Sequence, residues 1–291
     1  VYNEGENKIT FKIVSAGVSL KEFKDQNLVI SKLIKISEPK EKQKTIFVWP
    51  EGVILEDSFI KKNKFKELIK SNFSKNHLII LGANTKEFSE KDTKYYNSLI
   101  LIDHDANVVG EYNKQKLVPF GEFLPFERVL KEIGFKKVTT GFNSFSKGNK
   151  KSIITINFDK NEINLLPLIC YEIIFPGLIQ KKNNQFNFII NISEDAWFGE
   201  SIGPHQHFAK AIFRSIESRS LTIRSANKGI SAFISPEGKI LKTLKSTESG
   251  NIEIDLPILK SKNINMNRDL IFALLLIVYA ITFLILKKFK L

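Results

Sequence analysis

Short apolar runs recur along most of the chain, and they constrain its fold more than any other feature. ITFKIVSAGV (9–18), TIFVW (45–49), HLIILG, SLILID, NVVGEY, SIITINF, INLLPLIC, FNFIINIS, LTIRSA, SAFISP and NIEIDL are rich in Ile, Val, Leu and Phe. Gly, Pro, Asn and Asp punctuate them, which is the pattern of β-strands. Several are apolar throughout, as strands covered on both faces are. SIITINF alternates instead, turning Ile153, Thr155 and Asn157 one way and Ile154, Ile156 and Phe158 the other. SPEG at 235–238, between SAFI and KILKTL, marks a hairpin turn. Helical periodicity separates the runs at about 20–36, 57–72, 122–134, 173–181 and 205–219. In the last of these, Phe208, Ile212 and Ile216, with Ala211 and Ser215 beside them, predict one apolar stripe. About eleven strands are too many for a simple three-layer fold. The expectation is an α/β chain of two sheets, each covered by helices, and 43% apolar residues with 11% aromatics can fill its core.

The C-terminus breaks this pattern. Residues 270–286, LIFALLLIVYAITFLIL, carry no charge and lie between Arg268-Asp269 and Lys287-Lys288. A helix of that length spans roughly 25 Å, and the flanking lysines can snorkel to complete a bilayer crossing. A buried core helix would show a polar face, and this run has none. The sequence therefore predicts a folded domain over 1–260 and a transmembrane helix with a short basic tail over 268–288. Lys260, Lys262 and Arg268 on one side balance Lys287, Lys288 and Lys290 on the other, so charge bias sets no orientation. The chain starts at Val1 without a signal-peptide pattern, which points to a piece of a longer protein.

Lys and Arg outnumber Asp and Glu by 44 to 31, a formal net charge of +13. The lysines are scattered rather than gathered with aromatics on one element, so no nucleic-acid partner is expected. One cysteine allows no internal disulfide. His205 and His207 lie two apart on a predicted helix, where they do not face together, and no partner thiol exists. No metal site is predicted.

Four stretches end an apolar run with polar groups, where functional residues of α/β folds collect. TIFVWPEG ends in Glu51. GEYNKQKLVPFGEF presents Lys114, Lys116 and Glu122. LPLICYEIIFP presents Cys170 and Glu172, and INISEDAWFGESIGPHQHF presents Asp195, Trp197, His205 and His207. A lone cysteine in an apolar run ordinarily packs as a small hydrophobe. With a glutamate to take its proton and a lysine to stabilise a negative oxygen, it becomes a nucleophile for acyl transfer from an ester or amide.

WPEG, YNKxxLVPFGEF, ICYEIIFP and NISEDAWFGESIGPHQH occur in the order of the motifs of the nitrilase (carbon-nitrogen hydrolase) superfamily, which the chain resembles over roughly residues 8–257. Within it, the closer resemblance is to the catalytic domain of the bacterial apolipoprotein N-acyltransferases, where a membrane helix also follows the domain. This implies a four-layer αββα sandwich. It implies Glu51 as general base, Lys114 as oxyanion-stabilising lysine and Cys170 as nucleophile, supported by Asn97, Glu122, Tyr171, Glu172 and Trp197. No metal or organic cofactor is implied. The implied acyl donor is a phospholipid and the acceptor a diacylglyceryl apolipoprotein, handled at the bacterial inner membrane with the catalytic domain on the periplasmic side. A membrane-anchored amidase would use the same triad, and a non-catalytic binding module would be expected to have lost part of it. Phe120, Phe123, Leu124, Phe126, Leu130, Ile133 and Phe135 form either a packed amphipathic helix or an apolar lid for acyl chains. IVSAGVSLKEFK departs from the opening segment of these acyltransferases, and the membrane helices that precede their domain are absent.

Overall fold

The computed structural model describes residues 8–19, 22, 25–55, 63–88, 93–125, 144–149, 153–178, 185–259 and 268–288. Its strands form two six-stranded sheets. The first holds β1 (Lys8–Ser15), β2 (Thr45–Val48), β3 (His77–Phe88), β4 (Thr93–Ile102), β5 (Val108–Asn113) and β12 (Gly250–Pro257), in the order β12-β1-β2-β3-β4-β5. The second holds β6 (Ile154–Phe158), β7 (Asn161–Ile169), β8 (Phe188–Glu194), β9 (Leu221–Asn227), β10 (Ser231–Ile234) and β11 (Ile240–Leu244), in reverse numerical order. Each sheet has a parallel centre, β1-β2-β3 and β7-β8-β9, with antiparallel strands outside it.

The inner faces of the sheets pack on each other. Phe11 of β1 meets Phe188 of β8 edge-to-face at 4.8 Å between ring centres, within a layer that includes Ile13, Ile46, Val48, Ile190 and Ile223. Helices α1 (Gln26–Ser37) and α2 (Asn63–Asn72) cover the first sheet through Val29, Ile30, Leu33, Phe65 and Ile69. Helix α3 (Gly203–Ser218) covers the second through Phe208 and Ala211. The result is helix, sheet, sheet, helix, as expected.

Several elements differ in detail. There are twelve strands among the described residues: KILKTL, the far arm of the SPEG hairpin, forms the exposed edge strand β11, with Gly238 at φ +81° in the turn. Helix α1 starts at Gln26 because the Asp25 carboxylate caps the Leu28 N–H at 3.1 Å. The segment expected as a helix over 173–181 begins as two three-ten turns, Cys170–Ile174 and Pro176–Leu178, since Pro176 cannot continue the first. The apolar stripe expected on α3 is buried at Phe208, Ala211 and Ser215, with Ile212 partly buried against the same core, but not at Ile216. Ile216 is exposed, while His207, Arg214, Ser215 and Ser218 are buried with Phe208 and Ala211. Polar partners on the sheet set that rotation: His207 bonds to Asp195 and the Ser215 hydroxyl to Thr222.

Helix α4 (Arg268–Lys288) is exposed over residues Leu270–Lys288, a stretch long and apolar enough to cross a membrane.

Candidate active site

The carboxyl end of β2 sets the first wall of the site. The chain runs on through Trp49 and Pro50 to Glu51, clamped to β3 by Trp49 N–H to Ile80 C=O at 2.8 Å and Gly82 N–H to Pro50 C=O at 3.1 Å. Gly82 is needed there, because a Cβ on it would stand 2.5 Å from Glu51 Cα. Glu51 is buried. Its Oε1 accepts from Asn97 Nδ2 at 2.7 Å and faces Lys114 Nζ at 3.4 Å; its Oε2 accepts the Glu194 backbone N–H, from the other sheet, at 2.8 Å.

Lys114 follows β5 and donates its backbone N–H to the Asn97 carbonyl on β4 at 2.9 Å. Its ammonium is 1% exposed and sits 2.8 Å from Glu122 Oε1. Burial alone would push this ammonium's pKa down, but the charges of Glu122, Glu51 and Cys170 reverse that and hold it above the ordinary lysine value. Glu122 is itself fixed, accepting from Asn97 Nδ2 at 2.7 Å through Oε1 and from the Val118 N–H at 2.8 Å through Oε2. Asn97 thus spends both amide hydrogens on the two carboxylates that flank the lysine. Residues 144–149 close over this loop, with Phe145 N–H on the Glu122 carbonyl and Gly148 N–H on the Lys114 carbonyl.

Cys170 begins its three-ten turn at the end of β7 with φ +47°, a left-handed conformation that a side chain rarely adopts. Two residues on, the fully buried Glu172 ties the turn to the lysine loop. Its Oε1 accepts from Tyr112 Oη at 2.9 Å and the N–H groups of Gln115 and Lys116 at 2.7 and 3.0 Å, and its Oε2 accepts the Ile169 N–H at 2.9 Å. Burial raises the Glu172 pKa, and those donors oppose it. Burial, first, and then the charges of Glu51 and Asp195 push the Cys170 thiol well above its ordinary range, against the pull of Lys114 and the Ser193 hydroxyl. The resting group is a thiol.

Three further buried groups complete the setting. Asp195, at the end of β8, accepts from Ser193 Oγ at 2.7 Å and Arg224 Nη2 at 2.7 Å and lies 3.0 Å from His207 Nδ1. Burial would raise its pKa, but Arg224 and His207 carry it far below the carboxylate range. His207 Nε2 donates to the Cys170 carbonyl at 3.0 Å. Glu194 has no cationic partner among the described residues; its carboxyl meets Asn227 Nδ2 at 2.9 and 3.1 Å and the Ala196 N–H at 3.1 Å. Burial pushes its pKa up to about 8, with Glu51 and Asp195 adding to the rise and the Asn227 and Ala196 bonds resisting it.

Residues 19–260 match the carbon-nitrogen hydrolase family. The chain belongs to that family. Among solved structures, its carbon-nitrogen hydrolase fold resembles a mutant of the amidase from Nesterenkonia sp. AN1 that carries the acetamide moiety of fluoroacetamide covalently on its active-site cysteine. The TM-score is 0.59 over 94% of this chain and 98% of that one, at 13% identity. Nit3 from Saccharomyces cerevisiae, of branch 10 of the nitrilase superfamily, aligns with TM-score 0.57 at 19% identity over 86% and 90% of the two chains. In sequence, the chain is 35% identical over 240 residues to an apolipoprotein N-acyltransferase of Rhizobium rhizogenes, covering 80% of this chain and 44% of the relative. It is 35% identical over 226 residues to one of Rickettsia typhi, covering 77% and 44%. The chain thus spans less than half the length of these curated relatives.

Of the residues singled out from sequence, the carbon-nitrogen hydrolase fold draws Glu51, Asn97, Lys114 and Glu122 into one hydrogen-bonded cluster, with Cys170 electrostatically coupled to it and Glu172 bracing the loops. Tyr171 is half-buried with its ring 5.0 Å from Phe175. Trp197 stands apart, 58% exposed on the turn after β8. Phe126, Leu130, Ile133 and Phe135 lie outside the described residues, so the lid expectation finds no test there; Phe120 is exposed and Leu124 buried. Among the described residues no group of three or more His, Cys, Asp or Glu is arranged to hold a metal. Sequence reasoning missed Glu194, Arg224 and the partnership of His207 with Asp195. The signal available was a lone arginine inside the apolar run LTIRSA, since a charge in a strand covered on both faces must have a buried partner.

Proposed function

We propose that the chain is the acyl-transferring part of an apolipoprotein N-acyltransferase, working through a Cys170 thioester. The observation that carries this is the Glu51–Lys114 pair, buried, locked by Asn97 and Glu122, and coupled to a thiol on a left-handed turn. The curated relatives of that name support the choice of reaction.

Glu51 takes the Cys170 proton as sulfur attacks the ester carbonyl of a phospholipid. Lys114 stabilises the oxyanion. The intermediate expels the lyso-phospholipid oxygen, which leaves with the proton returned by Glu51. The α-amine of a diacylglyceryl-cysteine then attacks the thioester, gives up a proton to Glu51, and departs as the amide while the thiol is restored. A resting thiol suits this scheme: proton removal is coupled to substrate arrival, and the site does not hold a standing thiolate open to oxidation. The kinetics are ping-pong. Helix α4 anchors the domain at the bacterial inner membrane, with the site on the periplasmic side, where both the lipid donor and the lipoprotein acceptor are presented.

The test is the intact mass of the detergent-solubilised protein after incubation with phosphatidylethanolamine, beside Cys170→Ala. An acyl adduct on the parent alone, discharged by a diacylglyceryl peptide with a free amine, is expected. Discharge by water at the same rate would instead make the chain a membrane-anchored hydrolase, and no adduct would reject the thioester.

A further inference from the structure

Cys170 is held in its strained backbone conformation by neighbours, as such residues must be. Two carbonyls bracket the turn, and both are gripped by side chains that lead back to one buried arginine. Asn191 Nδ2 donates to the Leu168 carbonyl at 2.8 Å, and His207 Nε2 to the Cys170 carbonyl at 3.0 Å. Arg224 donates through Nη1 to Asn191 Oδ1 and through Nη2 to Asp195 Oδ2. Asp195 Oδ1 in turn lies 3.0 Å from His207 Nδ1. Arg224 and Asp195 are wholly buried.

The hydrogen bonding fixes the histidine's roles. A carbonyl can only accept, so Nε2 carries a proton. Nδ1 is flanked by an acceptor, Asp195, and a donor, Arg224 Nη2 at 3.2 Å. Either protonation state of Nδ1 therefore finds a partner, and the grip on Cys170 survives both.

The peptide plane carries that grip further. In a trans peptide the C=O of Cys170 and the N–H of Tyr171 point in opposite directions. His207 belongs to α3, on the outer face of its sheet; Glu51 and Lys114 come from the other sheet, across the inner face. With the carbonyl drawn toward α3, the Tyr171 N–H points away from that helix, the side from which Lys114 comes. We propose that His207, backed by Asp195 and Arg224, is a positioning residue for acylation: it fixes the Cys170–Tyr171 peptide so that the Tyr171 N–H joins Lys114 as the second donor to the oxyanion. This rests on Cys170 as the nucleophile, and goes beyond it.

The test separates oxyanion formation from thiol reactivity. The parent, His207→Met and His207→Gln, each as the full chain in detergent, are acylated in single turnover with a p-nitrophenyl acyl ester. In parallel they are alkylated with iodoacetamide, a displacement at carbon that forms no oxyanion. Loss of one oxyanion donor lowers rates about 10²- to 10³-fold. His207→Met is expected to lose acylation on that scale while alkylation changes little. His207→Gln, whose amide N–H can reach the same carbonyl, is expected to recover most of the loss. Equal loss in both reactions, no loss in either, or no advantage of Gln over Met overturns the proposal. If the Met variant does not fold, His207→Asn, too short to reach the carbonyl, takes its place with the same criteria. A parent that accepts no acyl group from the ester rejects the nucleophile and this inference together. A parent that accepts it from the ester but not from phospholipid rejects only the lipid donor.

Discussion

Glu194→Gln is expected to remove a loss of stability that the parent suffers as pH rises. The parent carboxyl is 6% exposed, has no cationic partner among the described residues, and is pushed up to about 8 against 4.5 in the unfolded chain. A folded pKa raised in this way means that the native state holds the proton more tightly. Its stability contribution is complete below pH 4.5 and is lost as pH rises from 4.5 to about 8, after which the curve is flat. The slope in that window is about 1.4 kcal/mol per pH unit, so the loss between pH 5 and pH 9 approaches roughly 4 kcal/mol, as a ceiling. Glutamine has nothing to ionise; its carbonyl can accept from Ala196 and Asn227, and its amide, turned against Asn227 Nδ2, costs about 1–3 kcal/mol that does not vary with pH. Urea unfolding in detergent micelles at pH 5, 7 and 9 would follow both proteins. The variant should start below the parent at pH 5 and gain on it progressively through to pH 9. A gap that stays constant across that range would refute the reasoning, because Glu194 would then not be linked to folding through its proton.

Other perturbations act on single contacts. Gly82→Ala would drive a methyl group into the backbone at Glu51, 2.5 Å away, and should lower acylation at least 100-fold in a protein that still folds, as read from single-turnover rates beside circular dichroism. Cys170→Gly should be about 1 kcal/mol more stable than Cys170→Ala, because glycine tolerates the left-handed turn; equal urea midpoints would remove the strain argument. Glu172→Gln keeps an acceptor for Tyr112, Gln115 and Lys116 but turns an amide against the Ile169 N–H. It should cost about 1–3 kcal/mol in thermal or urea unfolding.

The strands were legible because burial on both faces leaves little except Ile, Val, Leu and Phe, and because Gly and Pro punctuate their ends. The cluster of Glu51, Lys114 and Glu122 was legible as polar groups placed immediately after such runs. What escaped was polar burial. On α3 Phe208, Ala211 and Ser215 go inward as the apolar period predicts, yet Ile216 stays exposed while His207 and Arg214 turn inward, with His207 held by Asp195 and Ser215 by Thr222. In sequence His207 reads as one polar group among several after an apolar run, and nothing local in GPHQHF tells that its partner is an aspartate twelve residues earlier. Nothing in the sequence marks Glu194; only the fold reveals that it is enclosed, and that its backbone rather than its carboxyl touches Glu51.

Glu51 and Lys114 hang from one sheet, and Cys170, Glu194 and His207 from the other or the helix upon it. The reacting atoms therefore share no continuous stretch of chain and no single sheet. A half-folded molecule, with either sheet formed but not docked, carries a cysteine without its base or a base without its cysteine. On the proposed mechanism, reactivity toward acyl groups is thus a late product of assembly, and the chain is chemically mute until its two halves have closed.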